Sequence, residues 1–236
     1  MGKYPQLHPC KMLKMEEVLS FLKELSFNNN KEWFDKNKPR YMAVRDYVQN
    51  LAQDLINGIS EFDDDAKYLT PMDCTYRIYR DTRFSMDKTP YKTHIGIFIN
   101  PPFGKKSFRM GYYLHLEPGN CSIGVGNVCL PSKMITGIRE AIRDNIDEYL
   151  GIINNPEFQK YFKKVGENPV KTAPKGFSKD WEHIDLVRPK DYYASHSLKT
   201  GEVMAKNFPR KAVEIFKAGK PLMDFINFTI EEIGES

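Results

Sequence analysis

Cysteine is scarce in this sequence, and the four present, Cys10, Cys74, Cys121 and Cys129, form no CxxC pair. That argues against a disulfide-stapled scaffold and against paired-thiolate zinc modules, and points to reduced thiols in a cytoplasm. Also missing is any apolar run long enough to span a bilayer, and the opening MGKYPQLHPCKMLK lacks the apolar core of a signal peptide. Gly2 does not suit myristoylation, because Gln6 stands where Ser or Thr is wanted. No membrane partner is expected, and the expected location is cytoplasmic. No internal repeat, low-complexity tract or Pro/Gly/Ser linker interrupts the chain, so one domain over 1–236 is expected, with 1–14 a poorly ordered tail. Nor is one sign of charge dominant: the net charge of +4 supports only a mild preference for anionic partners. The sequence carries no signal of oligomeric state.

What is present is an ordinary globular composition, 41% apolar and 28% charged over 236 residues, enough chain to bury a sizeable core. Met15 to Phe27 has Val18, Leu19, Leu22 and Leu25 at helical spacing, with Glu16 and Glu17 where the helix dipole favours acids. Asn30 is placed to cap a short helix carrying Trp33 and Phe34, and Pro39 to restart a longer one through Ile59. The texture then changes to alternation, predicting strands over Thr75 to Asp81, Thr93 to Asn100, Met110 to Glu117 and Cys121 to Val128. Helical spacing returns from Pro131 through Leu150, then over Pro156 to Val165, Gly201 to Lys217 and Pro221 to Ile233. Asn168 to Leu198 reads as long and irregular, a stretch that packs over something rather than hanging free. The fold class is therefore α+β, an antiparallel sheet of about four strands in the middle of the chain flanked by N-terminal and C-terminal helices.

Register follows from aligning apolar with apolar, since a slip of one residue sends every side chain to the wrong face. Pairing Ile95 with Leu114, Ile97 with Tyr112 and Ile99 with Met110 achieves this, and Leu114 with Ile123 and Tyr112 with Val125 continue it. The opposite face then carries His94, Gly96, Gly111, Tyr113, His115, Ser122, Gly124 and Gly126, a smooth floor bordered by two histidines and a tyrosine. A helix packed flat on the glycines, Gly201 to Lys217 for example, is the alternative occupant of that space.

Charge concentrates beside this floor. Between Arg77 and Arg109 eight Lys or Arg face two acids, a local +6 that leaves −2 for the rest of the chain. The densest part is the basic loop Arg77 to His94. Alternation puts Arg80 on the side of Tyr76 and Ile78, where a guanidinium needs a carboxylate or an anion. One reading is an anion site in which Arg77, Arg80, Arg83, Lys88, Tyr91, Lys92 and Tyr113 converge on phosphate or carboxylate oxygens. The other is architectural: Arg80 and Arg83 pair with Asp81, Asp87 and carbonyls to hold a long loop in one shape.

His94 and His115 face each other in this register and are the candidate catalytic groups, since an unperturbed imidazole titrates near ~6.5, but a hydrogen-bonded histidine with no catalytic role is the preferred reading. No metal site is assigned, because two histidines lack a third protein ligand and no HExxH, CxxC or compact acidic cluster supplies one. No cofactor is assigned either: Gly124-Val125-Gly126 has neither a following P-loop Lys nor a βαβ context. Ser85 has no GxSxG setting. Lys105-Lys106 reads as a solvated hairpin tip.

The segment RDTRFSMDKTPYKTH, together with NNNKEWF (Asn28 to Phe34), GVG (Gly124 to Gly126) and APKGF (Ala173 to Phe177), resembles the bacterial domain-of-unknown-function 2461 family from about Phe21 to about Phe225. The resemblance implies a single-domain, cytoplasmic bacterial protein and transfers no catalytic residue. At Met86 the sequence departs from the lysine frequent in the family, which leaves a less cationic loop tip. The functional expectation is a binding protein or enzyme for a small anionic ligand, phosphorylated compounds among them, using loop 77–94. Nucleic-acid backbone binding ranks lower, because aromatic residues are not interleaved with exposed basic ones in a recognisable module. A protein-interaction module with a purely structural basic loop is the third reading.

Overall fold

The computed structural model describes residues 13–104, 107–128 and 130–234. Most of the tail expected over 1–14 and the hairpin tip Lys105-Lys106 lie outside the described residues. Helix α1 (Met15–Phe27) buries Val18, Leu19, Leu22 and Leu25, the residues its periodicity singled out. Its first turn is closed by Glu17, which accepts from the Lys14 N–H at 2.8 Å. Helix α2 (Lys31–Lys36) starts where Asn30 Oδ1 accepts from the Trp33 N–H at 3.0 Å. Helix α3 (Lys38–Ile59) runs on from it with Pro39 in its first turn and lays Val44, Val48, Leu51, Leu55 and Ile59 into the core. After a single 3-10 turn (Asp64–Tyr68) and the short α4 (Pro71–Cys74), the basic loop leads into the sheet.

The four antiparallel strands are β1 (Ile95–Ile99), β2 (Gly111–Leu116), β3 (Ser122–Asn127) and β4 (Tyr192–Ser197), in that order across the sheet. The fourth strand is not the one expected. Thr75 to Asp81 forms an isolated bridge to the sheet from Thr75 to Ile97, then folds back on its own loop through a Tyr79 to Tyr91 bridge. Its place is taken by Tyr192–Ser197, inside the stretch read as irregular. That edge strand alternates buried Tyr192 and Ala194 with exposed Ser195 and Ser197, so its apolar signal is short.

The β2 to β3 register is the expected one, Leu114 opposite Ile123 and Tyr112 opposite Val125. Between β1 and β2 the pairing is offset by two residues, with Ile97 opposite Leu114 and Ile99 opposite Tyr112. An even offset keeps every side chain on its expected face. Met110 is not available to Ile99 because a helix side chain takes its backbone. The Met110 N–H donates to Asn227 Oδ1 at 2.6 Å, and Asn227 Nδ2 donates back to the Met110 carbonyl at 3.2 Å.

Asn227 belongs to α10 (Phe208–Gly234), which follows α5 (Ser132–Asp144), α6 (Ile146–Ile153), α7 (Pro156–Tyr161), α8 (Ile184–Val187) and α9 (Thr200–Val203). Two helices were expected here, broken before Pro221, yet α10 runs through it. Lys217 and Pro221 both sit on the exposed side, where the carbonyl freed by proline meets water, while Ile215, Phe216, Leu222, Met223 and Ile226 continue one buried stripe across the site. This helix covers the apolar face of the sheet, not the glycine face. Phe216 packs its ring 5.3 Å from that of Tyr112, and a side chain at Gly219 would meet Val125 at 2.6 Å. Pro156 to Val165 is helical only to Tyr161.

The buried apolar residues other than Phe98 form one contiguous hydrophobic cluster, from Met15 of α1 to Ile230 of α10. Cys74 and Cys121 are buried, and no helix among the described residues is long and apolar enough to cross a membrane. The Asn227 clamp is a buried polar link between α10 and the residue that leads into β2, so Asn227→Ala leaves a backbone N–H and C=O unpaired. We expect it to lower the unfolding free energy by about 1–3 kcal/mol in urea titration. A change below about 0.5 kcal/mol would show that the clamp contributes nothing net.

Candidate functional site

The glycine face of the sheet is not a bare floor, as the sequence suggested, but is covered by rings. A side chain at Gly96 would meet the Tyr113 hydroxyl at 2.9 Å, one at Gly111 the Phe98 ring at 2.7 Å, and one at Gly124 the Tyr193 ring at 2.8 Å. Each glycine lets a ring from the neighbouring strand lie against the backbone. Phe98 was the member of this face that the register argument passed over, although it alternates with Gly96.

Above the rings lies a cavity of about 500 Å³, between the sheet, α3 and the segment entering the basic loop. Its aromatic lining is Tyr41, Tyr76, Phe98, Tyr113 and Tyr193, and its charged lining is Arg45, Arg77 and Lys92, with His94 at one side. No Asp or Glu lines it among the described residues. Arg45 is held by Asp46 at 2.9 Å, and the Lys92 ammonium stands 5.2 Å from the centre of the Tyr76 ring. Arg77 is exposed, and its charge acts on the Asp81 carboxylate from beyond ion-pair distance.

Of the residues singled out from sequence, Arg77, Lys92, Tyr113 and His94 therefore come together at the cavity. The others are engaged elsewhere. Arg80 Nη1 donates to Asp87 and to Thr89, and Arg83 forks onto Asp81 at 3.0 and 2.7 Å. Lys88 Nζ donates to the Thr82 carbonyl at 2.9 Å. Tyr91 is buried, its ring stacked 4.0 Å from Phe34, and its backbone is gripped by Asn29, whose Nδ2 donates at 2.9 Å and whose Oδ1 accepts at 3.1 Å. Asn29 and Phe34 belong to the NNNKEWF segment, so two stretches distant in sequence are one structural unit.

His94 and His115 stack with ring centroids 4.7 Å apart. Burial and the neighbouring His115 push the His94 pKa down, which keeps it neutral at pH 7. His115 is held at both nitrogens: Nδ1 lies 3.1 Å from the Tyr113 hydroxyl and Nε2 lies 3.2 Å from Glu117 Oε2. Burial raises the Glu117 carboxyl, but hydrogen bonds from Asn120 and His115 together outweigh it and bring its pKa below the usual value. Burial also pushes the Tyr113 hydroxyl up to about 12, so it stays protonated. Glu117 is the residue that sequence reasoning missed as a partner of the two histidines. The signal was there, since positions 115 and 117 share a face of the expected strand Met110 to Glu117.

The loop network makes one titration prediction. The Thr89 backbone N–H, the Arg80 guanidinium and the Thr89 hydroxyl hold the exposed Asp87 carboxyl down to about 2. A depressed carboxylate adds stability to the ordered loop above its ordinary value near ~3.9, and that contribution is lost as pH falls toward 2. Carboxyl-carbon NMR should place the Asp87 midpoint near the lower figure and move it up in Arg80→Met. A midpoint at the ordinary value in the wild-type chain would mean that the loop is not held by this pair.

No curated protein and no solved structure matches the chain. Residues 17–225 match the family described as conserved hypothetical protein (DUF2461), and the chain belongs to that family.

Proposed function

We propose that this protein binds a small organic anion in the cavity over the ring-covered face of the sheet. The observation that carries the reading is the lining itself, aromatic walls with Arg77 and Lys92 at the edge and no carboxylate among the described lining residues. Rings favour a flat apolar portion of the ligand, and the guanidinium and ammonium favour phosphate or carboxylate oxygens. The volume falls within the range of about 300–1,000 Å³ usual for small-molecule sites. Phosphorylated aromatic compounds combine both features. A long polyanion is less well served, because Asp87 and Asp81 already neutralise Arg80 and Arg83 in the loop.

Calorimetric titration with phenyl phosphate, benzoate and inorganic phosphate tests the reading. Phenyl phosphate is expected to bind more tightly than inorganic phosphate. Arg77→Ala and Lys92→Ala should each weaken it by roughly 10- to 100-fold, the scale of a lost hydrogen bond to a charged group. Arg83→Ala, in the loop and away from the cavity, should leave it unchanged. Absence of binding by all three probes at millimolar concentration, or equal losses in Arg83→Ala and Arg77→Ala, would overturn the assignment.

A further inference from the structure

Beside the cavity, three side chains with metal-ligand chemistry converge from a strand position in β2, the residue just after β2 and the residue before β1. His94, His115 and Glu117 each offer a donor atom, and these atoms all lie within 4.8 Å of one another. We propose that His94, His115 and Glu117 bind one divalent transition-metal ion of the zinc or iron(II) class, at the side of the cavity that His94 lines. The proposal goes beyond anion binding and does not depend on it, since only His94 is shared with the cavity lining.

The donor set argues for the class of ion. Two imidazoles and one carboxylate suit zinc, iron(II) and their neighbours, whereas calcium and magnesium take oxygen ligands. Three protein ligands leave coordination positions open, the pattern of a site that also receives water or an anionic oxygen. Donors around a tetrahedral ion at about 2.0–2.2 Å lie roughly 3.3 Å apart. The His115 Nε2 to Glu117 Oε2 separation is already 3.2 Å, and the donor atom of the half-buried His94 lies within 4.8 Å of both.

The surroundings support the same assignment. Metal-bound imidazoles are oriented by a partner on their other nitrogen, and ligating carboxylates are themselves hydrogen-bonded. The Tyr113 hydroxyl contacts His115 Nδ1, and Asn120 Nδ2 donates to Glu117 Oε2 at 2.8 Å. A hydroxyl both donates and accepts, so Tyr113 supports either tautomer of His115. Without metal, Nε2–H donates to Glu117 and Nδ1 accepts from Tyr113. With metal, Nε2 is the ligand and Nδ1–H donates to the same oxygen. Ligation gives His94 and His115 a task other than proton transfer.

The test uses the full chain stripped by chelator and titrated with cobalt(II), followed by its visible absorption, and with zinc(II) by calorimetry. One ion per chain is expected, at micromolar or tighter affinity. Glu117→Gln, nearly isosteric, should weaken binding by at least 10-fold, and the double variant His94→Ala with His115→Ala should abolish it. His196→Ala is the control and should bind as the wild type does, because His196 lies on β4 with Nδ1 against the Tyr161 carbonyl. Circular dichroism checks the fold of each variant, and Glu117→Gln decides alone if the double variant does not fold. No stoichiometric binding by the wild type, or undiminished binding by Glu117→Gln, would overturn the site and leave a hydrogen-bonded His–Glu pair.

Discussion

Close contact between glycine backbone and aromatic rings on one face of a small sheet is the constraint from which the rest of the site follows. On the opposite face α10 packs its apolar stripe, with Phe216 against Tyr112 and Gly219 admitting the Val125 side chain. On the cavity side the rings of Phe98, Tyr113 and Tyr193 take the positions that side chains at Gly111, Gly96 and Gly124 would otherwise fill. Gly126 adds a φ of +146°, a conformation that L side chains rarely adopt. The result is an apolar surface laid low on the backbone, with room above it.

The basic loop has two parts with different physics. Its tip is an internal ion-pair network in which Asp81 and Asp87 neutralise Arg83 and Arg80, and exposed pairs of this kind contribute little to global stability. Its base is pinned by Asn29 and Phe34 onto Tyr91, which fixes where Arg77 and Lys92 stand relative to the sheet. This explains why two separated stretches, NNNKEWF and TPYK, are needed together. One holds the backbone of the other with paired amide hydrogen bonds, as Asn227 holds Met110 at the far end of the sheet.

What could be read from the sequence was local. Helical spacing fixed α1, α2 and α3, and period-two alternation assigned the residues it named in β1, β2 and β3 to their faces even where the pairing moved by two, though it passed over Phe98. What could not be read depends on the course of the chain in space. The strand Tyr192–Ser197 hides behind Pro189 and polar edge residues, and Thr75 to Asp81 has a strand's composition but turns onto its own loop. Whether Arg80 meets a ligand or Asp87 depends on the path of the loop between them, which composition does not encode. Pro221 illustrates tertiary override: a buried stripe on both sides keeps α10 whole.

Amide NMR during addition of phenyl phosphate tests the central claim most directly, because it locates the contact rather than only detecting it. Shift changes concentrated at Thr75, Arg77, Lys92, Gly96, Gly126 and Tyr193, with Arg83 and Lys88 unmoved, are the expected result. Changes centred on the loop tip or on the α10 face, or none at saturating concentration, would contradict the account.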